Sequence, residues 1–239
     1  VEPPEDRELP LEEHLAELRR RVIRISIVMI AGIGITFRFA GELIRDFWRE
    51  LLPSELNIYV FTPTEWFMVQ LTFSFVLTLV LAYPYIVYEL YQFAKPGLYE
   101  HERRFVKTFL PFSYVLFLVG VGLAYFVVIP RLFTIATMFN LGAEPLFSAK
   151  RTIYLAFKIL LAFGLAFQIP VLAVIAVRIG LITSKWLRDK RIWIYIIVFV
   201  FASNVTLDIS GISQIVILAL VVVMYELSIV LARLMERKL

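Results

Sequence analysis

No cysteine occurs among the 239 residues, and the only histidines are His14 and His101. Disulfides, thiolate metal sites and cysteine nucleophiles are therefore excluded. Neither histidine belongs to an H-E-x-x-H pair, which rules out a zinc protease of that kind. G-x-S-x-G and G-x-x-x-x-G-K-[ST] are also absent, so the chain has neither that serine-nucleophile turn nor that ATP-cradling loop. Charge is scarce too: 18% of residues are Asp, Glu, Lys or Arg, against roughly 25% in a soluble domain. No catalytic set, metal site or cofactor is expected, and the chain does not read as an enzyme.

What is abundant is apolar. Hydrophobic residues make up 60% of the chain, and several runs reach or approach the ~20 residues that carry a helix across ~30 Å of hydrocarbon. The fold class is all-α: a polytopic membrane protein in a lipid bilayer, one domain over 1–239, with six transmembrane helices. The spans fall at about 22–39, 67–89, 106–129, 153–177, 192–207 and 212–232. The acidic, polar stretch from Val1 to Glu13 does not read as a cleavable leader. Leu11, Leu15, Leu18 and Val22 recur at helical spacing beside Glu12, Glu13, Glu17 and Arg19 to Arg21. That pattern predicts an amphipathic interfacial helix running into the first span. Phe47-Trp48 and Trp66-Phe67 bracket an outside cap at about 40–66. No internal repeat is visible, which removes the usual signature of an inverted-repeat transporter.

Lysine and arginine set the orientation. One side holds Arg7, Arg19, Arg20, Arg21 and Arg24; Lys95, Arg103, Arg104 and Lys107; Arg178, Lys185, Arg188, Lys190 and Arg191; and Arg233, Arg237 and Lys238. The other holds Arg38, Arg45, Arg49, Arg131, Lys150 and Arg151, and Lys158 lies inside a span. The asymmetry predicts that both termini are cytoplasmic. It also accounts for the net charge of +4 without nucleic acid.

The most specific segment is the connector from Phe93 to Arg104, FAKPGLYEHERR. Solubility alone does not require an aromatic, a Pro-Gly turn and a carboxylate beside two arginines. On residue chemistry, Glu102 is a helix-start acid favoured by the helix dipole and paired with Arg103 or Arg104. Glu17 can pair with Arg20 or Arg21 on its own helix. Gln168, just before Pro170, is a buried amide that needs partners in hydrocarbon. It either bonds to a neighbouring helix or lines a polar concavity. Glu226, near the inner end of the last span, is expected to pair with a basic residue.

Taken together, these motifs resemble the TatC family, the signal-peptide receptor of the twin-arginine protein translocase. The resemblance runs from about Leu11 to Arg233. His14-Leu15-Ala16-Glu17-Leu18-Arg19-Arg20-Arg21 is similar to the family's H-L-x-E-L-R-x-R opening. Phe93 to Arg104 resembles its F-x-x-P-[AG]-L-x-x-x-E-[RK] loop, and Tyr83-Pro84 its second-span proline turn. Ala124-Tyr125-Phe126 with Pro130, Ala162 to Pro170, Gly180 to Thr183, Ser213-Gln214 and Tyr225-Glu226 follow in family order. Two features depart from the pattern. Gln168 stands where the family usually has glutamate. Asp208 lies two residues early relative to a Pro-Pro-Asp motif, with Ser210 in the aligned place, as a two-residue insertion would give.

The resemblance implies a function: binding Arg-Arg signal peptides at the cytoplasmic face of a prokaryotic plasma membrane. Glu102 and Glu17 would accept the arginines, with Arg19 orienting an acid. Phe93 would pack on the residue after the arginine pair, and Arg103 would complete the site. Gln168, Asp208 and Glu226 would serve intramembrane contacts with partners. TatA- and TatB-type single-span partners, a homo-oligomeric complex and export of folded proteins driven by the proton-motive force are implied as well. A secondary transporter of a small cation or amine, using Glu226, Asp208 and Gln168, is the alternative.

Overall fold

The computed structural model describes residues 11–51, 58–138, 147–206 and 212–236. Eight helices account for nearly all of them: α1 (Leu11–Leu51), α2 (Pro63–Ala94), α3 (Glu100–Leu123), α4 (Ile129–Met138), α5 (Ala149–Ala166), α6 (Ile169–Arg178), α7 (Ser184–Thr206) and α8 (Ile212–Glu236). Five stretches of helix are long and apolar enough to cross a membrane: Glu12–Glu50, Pro63–Gly97, Glu100–Ile135, Ala149–Arg178 and Gln214–Glu236. α7 adds a further long helix. Its first two turns carry Lys185, Arg188, Asp189, Lys190 and Arg191, so its apolar part begins only at Ile192. The protein is an all-α, multi-pass membrane protein.

The amphipathic opening and the first span form one helix. α1 has 41 residues, about 60 Å at 1.5 Å per residue, roughly twice the hydrocarbon thickness. Beyond residue 39 the helix continues because its face stays apolar at helical spacing. Ala40, Ile44 and Phe47 are buried there, while Glu42, Arg45, Asp46 and Arg49 point outward. The outside segment is therefore helical as far as Leu51. Two-residue strands β1 (Ile58–Tyr59) and β2 (Phe147–Ser148) then pair in parallel, tying the approach to α2 to the approach to α5.

α5 is the centre of the bundle. Over the apolar stretch of α5 and α6, 56% of positions are buried, against 6% for α1. The main core joins Ala40, Ile44 and Phe47 of α1, Val69 and Phe73 of α2, and Ile153, Phe157 and Phe163 of α5. In lipid, helices associate through close packing and buried hydrogen bonds rather than hydrophobicity. Both are present. Thr36 of α1 and Thr78 of α2 share a 3.0 Å hydroxyl bond. α3 crosses α5 at paired glycines: a Cβ on Gly120 would lie 2.7 Å from the Phe163 carbonyl oxygen, and one on Gly164 2.5 Å from the Phe117 ring.

Pro130 follows one turn of widened π-helix at Ala124–Val128, and that turn joins α3 to α4. The fourth apolar run divides at Phe167 and Gln168 into α5 and α6, with Pro170 in the first turn of α6.

One end of the bundle gathers the start of α1, the end of α2, the start of α3, the end of α6, the start of α7 and the end of α8. His14 stacks on Phe93 with ring centroids 4.5 Å apart. Tyr91, Leu98 and Val106 pack with Ile175 and Ile179, and the Ser184 amide donates to Glu236 Oε1 at 2.6 Å. We call this end the terminal face.

Candidate functional site

The connector at the terminal face is held rigidly. Lys95-Pro96-Gly97 forms a single 3₁₀ turn after α2. Arg103 ties it down: its Nε donates to the carbonyls of Lys95 at 3.0 Å and Leu98 at 2.8 Å. The Tyr91 hydroxyl donates to the Arg103 carbonyl at 3.3 Å. Arg103 therefore shapes the loop with its guanidinium rather than pairing with Glu102.

Glu102 lies in the first turn of α3 and is 8% exposed. Its Oε2 accepts the Tyr99 amide at 2.9 Å, satisfying one of the free N–H groups that every helix start leaves. No ion pair engages it among the described residues, and its Oε1 has no partner there. A fixed, nearly buried carboxylate with a free acceptor oxygen can accept a guanidinium edge.

Glu17 faces a second carboxylate that sequence reasoning passed over. Arg21 Nε donates to Glu17 Oε1 at 3.0 Å, and its Nη2 contacts the same oxygen. On its other edge, Nη1 donates to Glu89 Oε2 at 2.9 Å. The Tyr85 hydroxyl donates to Glu89 Oε1 at 3.0 Å, and Arg24 lies 3.9 Å from that oxygen. Glu89 is 5% exposed. It closes the apolar run 67–89, where it reads as a boundary residue. The available signal was Tyr85 one turn earlier on the same face, the spacing that lets a hydroxyl reach a carboxylate. Arg19 is exposed and forms no ion pair among the described residues; Arg21 occupies the bridging place. Glu17 and Glu102 do not touch, but the His14–Phe93 stack holds α1 against the end of α2, where the connector that leads to Glu102 begins.

The intramembrane candidates separate. Gln168 is buried and internally bonded. Ser113 Oγ donates to its Oε1 at 2.5 Å, and its Nε2 donates to the Ser113 carbonyl at 3.2 Å and the Gly164 carbonyl at 3.5 Å. Tyr83 completes the chain with a 3.2 Å hydroxyl bond to Ser113. Glu226 accepts the Tyr195 hydroxyl and pairs with Arg191 Nη2 at 3.4 Å, linking α8 to α7. Asp208 lies outside the described residues.

The geometry defines a class of protein: a helical membrane protein presenting fixed carboxylates and arginines at one rim, suited to docking a charged segment. Comparison with known proteins gives the family. The chain matches the family described as Sec-independent protein translocase protein (TatC) over residues 13–219. It is 35% identical to Sec-independent protein translocase protein TatC of Methanocella arvoryzae, covering 97% of this chain and 96% of that protein. It is 33% identical to the Aquifex aeolicus TatC, covering 96% and 97%. A crystal structure of the twin-arginine translocase receptor TatC superposes with a TM-score of 0.85 at 31% identity, over 94% of this chain and all of that one. The chain belongs to the TatC family. It is a non-enzymatic component of the twin-arginine protein transport machinery, embedded in a prokaryotic cytoplasmic membrane with other Tat components.

Proposed function

We propose that the terminal face is the cytoplasmic face and that it binds the Arg-Arg pair of a signal peptide through Glu102 and Glu17. The observation that carries this reading is the free Oε1 of Glu102, nearly buried on a connector that Arg103 holds in place. Arginine presents a planar donor fork to such an oxygen, whereas lysine offers a point charge. Glu17 also keeps one oxygen, Oε2, without a partner among the described residues. Phe93, stacked on His14, offers an apolar surface beside the acids. The excess of lysine and arginine in the segments at this face supports a cytoplasmic location for both termini. TatA- and TatB-type single-span partners, a homo-oligomeric assembly and export of folded cargo on the proton-motive force complete the reading. Gln168, Asp208 and Glu226 remain its candidates for contacts within the membrane.

The transporter reading has less support. It needs an open polar path, and each polar atom of the Gln168 amide is spent on Ser113 and Gly164. A signal peptide with a photo-reactive residue next to its arginine pair tests the proposal. Crosslinks should map to residues 14–24 and 93–104. Crosslinks confined to α7 and α8 would contradict it.

A further inference from the structure

A groove of about 450 Å³ opens on the membrane-facing side between α3, α6 and α8. Phe109 and Phe112 of α3, Val174 of α6, and Leu227 and Leu231 of α8 are among its walls, and every side chain lining it is apolar. Its occupant must therefore be apolar along its length, and slender. One turn of helix with side chains, ~10–12 Å across and 5.4 Å high, fills roughly 420–610 Å³. The groove has room for about one such turn, well short of a transmembrane helix, and it suits a flexible hydrocarbon chain.

Charge at one end identifies the rest of the ligand. Arg178 lies one turn beyond Val174 on α6, and Phe105 one turn before Phe109 on α3. The Arg178 guanidinium sits 5.6 Å from the centre of the Phe105 ring, so this pair lies one helical turn beyond the groove's lining, on the side nearest the terminal face. Arg178 is half-buried and has no carboxylate partner among the described residues. None of the described acids at this end pairs with Arg178. Glu102 caps the start of α3 through the Tyr99 amide, and Glu236 is bound to Ser184. Arg104 and Lys107, on the first turns of α3, are exposed and add positive potential.

We propose that the groove seats one acyl chain of an anionic phospholipid, from the leaflet bordering the terminal face, with its phosphate beside Arg178. The chain would fill the space between α3, α6 and α8, and the phosphate would supply the counter-charge that Arg178 lacks. This site is separate from the signal-peptide rim and does not depend on it.

The test uses the full purified chain in detergent, with phosphatidylglycerol or phosphatidylcholine added at matched concentrations. Bound lipid is counted by native mass spectrometry, and the thermal midpoint is followed in parallel. A ligand that binds only the folded state must raise that midpoint. Phosphatidylglycerol should bind about fivefold more tightly than phosphatidylcholine and raise the midpoint further. Arg178→Gln should abolish the difference. Leu231→Trp, or Leu227→Trp if the first folds poorly, fills the groove and should weaken retention of both lipids. Equal binding of the two lipids by the unaltered chain would overturn the proposal. So would a preference that survives Arg178→Gln. Retention unaffected by either tryptophan would also overturn it, leaving the groove to a partner's transmembrane segment or to bulk lipid.

Discussion

Arg21 joins α1 to α2: its Nη1 donates to Glu89 Oε2 at 2.9 Å, while its Nε holds Glu17 at 3.0 Å. One guanidinium thus serves two carboxylates on different helices, 68 positions apart for the longer link. Lysine cannot reproduce that double edge. Removing one partner of a buried pair typically costs about 3–5 kcal/mol, because the other charge stays buried. Here Tyr85 and Arg24 still attend Glu89, so Arg21→Met should fall at the low end, about 3 kcal/mol. Arg21→Lys should cost less, and Arg21→Met with Glu89→Gln less than the sum of the two single changes. Thermal unfolding of the unaltered protein and the four variants in detergent checks this. Additive losses would mean that the two side chains are not coupled.

The crossing of α3 and α5 makes a steric prediction. Gly120→Ala pushes a methyl against the Phe163 carbonyl, a backbone atom that cannot step aside. Forcing an extra carbon into a packed contact costs about 1–3 kcal/mol. Gly34→Ala, which meets nothing within 4 Å, should instead stabilise α1 by up to ~1 kcal/mol through helix propensity. The sign difference between these chemically identical changes is the readout. If both variants shift the midpoint alike, the crossing is looser than described.

At the far end, Glu65 pins the start of α2 to the start of α5. Its Oε1 accepts the Ser148 hydroxyl at 2.5 Å and the Lys150 amide at 3.1 Å; its Oε2 accepts the Phe61 amide at 2.9 Å. The Ser148 bond foremost, with the Phe61 amide, holds this carboxyl below its ordinary 4.5. A lowered folded-state value means that the contribution is complete above 4.5 and is lost as pH falls through the lower value. The thermal midpoint should therefore decline on acidification below 4.5, and Glu65→Gln should flatten that decline while lowering the midpoint at pH 7. An unchanged acid profile in the variant would show that Glu65 does not carry this dependence.

Much of the helical architecture could be read from apolar runs, because a membrane leaves a chain few alternatives to helix. The length of α1 was harder to see. Arg38, Glu42, Arg45 and Asp46 end the hydropathic signal, while Ala40, Ile44 and Phe47 continue an apolar stripe that packs on α2 and α5. The break between α5 and α6 is announced by Pro170, but the Ser113–Gln168 bond that ties it to α3 connects positions 55 apart, and no local pattern encodes that. The same holds at the rim. Glu17 and Arg21 are one helical turn apart and visible as a pair. Glu89 comes from the end of the next helix, and only the fold brings it to Arg21. The connector was legible as a motif, yet the role of Arg103 was not: its guanidinium spends itself on backbone carbonyls.

Recognition of arginine by Glu102 is the central claim, and one titration tests it. The affinity of the purified chain for an Arg-Arg signal peptide is measured against its Lys-Lys twin, in the unaltered protein and in Glu102→Gln. Loss of a charge-assisted bond costs about 1.5–3 kcal/mol, roughly ten- to a hundredfold in Kd. The Arg-Arg peptide should bind more tightly than its twin, and Glu102→Gln should erase most of that margin. Equal binding of both peptides, unchanged by the substitution, would reduce Glu102 to the cap of α3 and contradict the account.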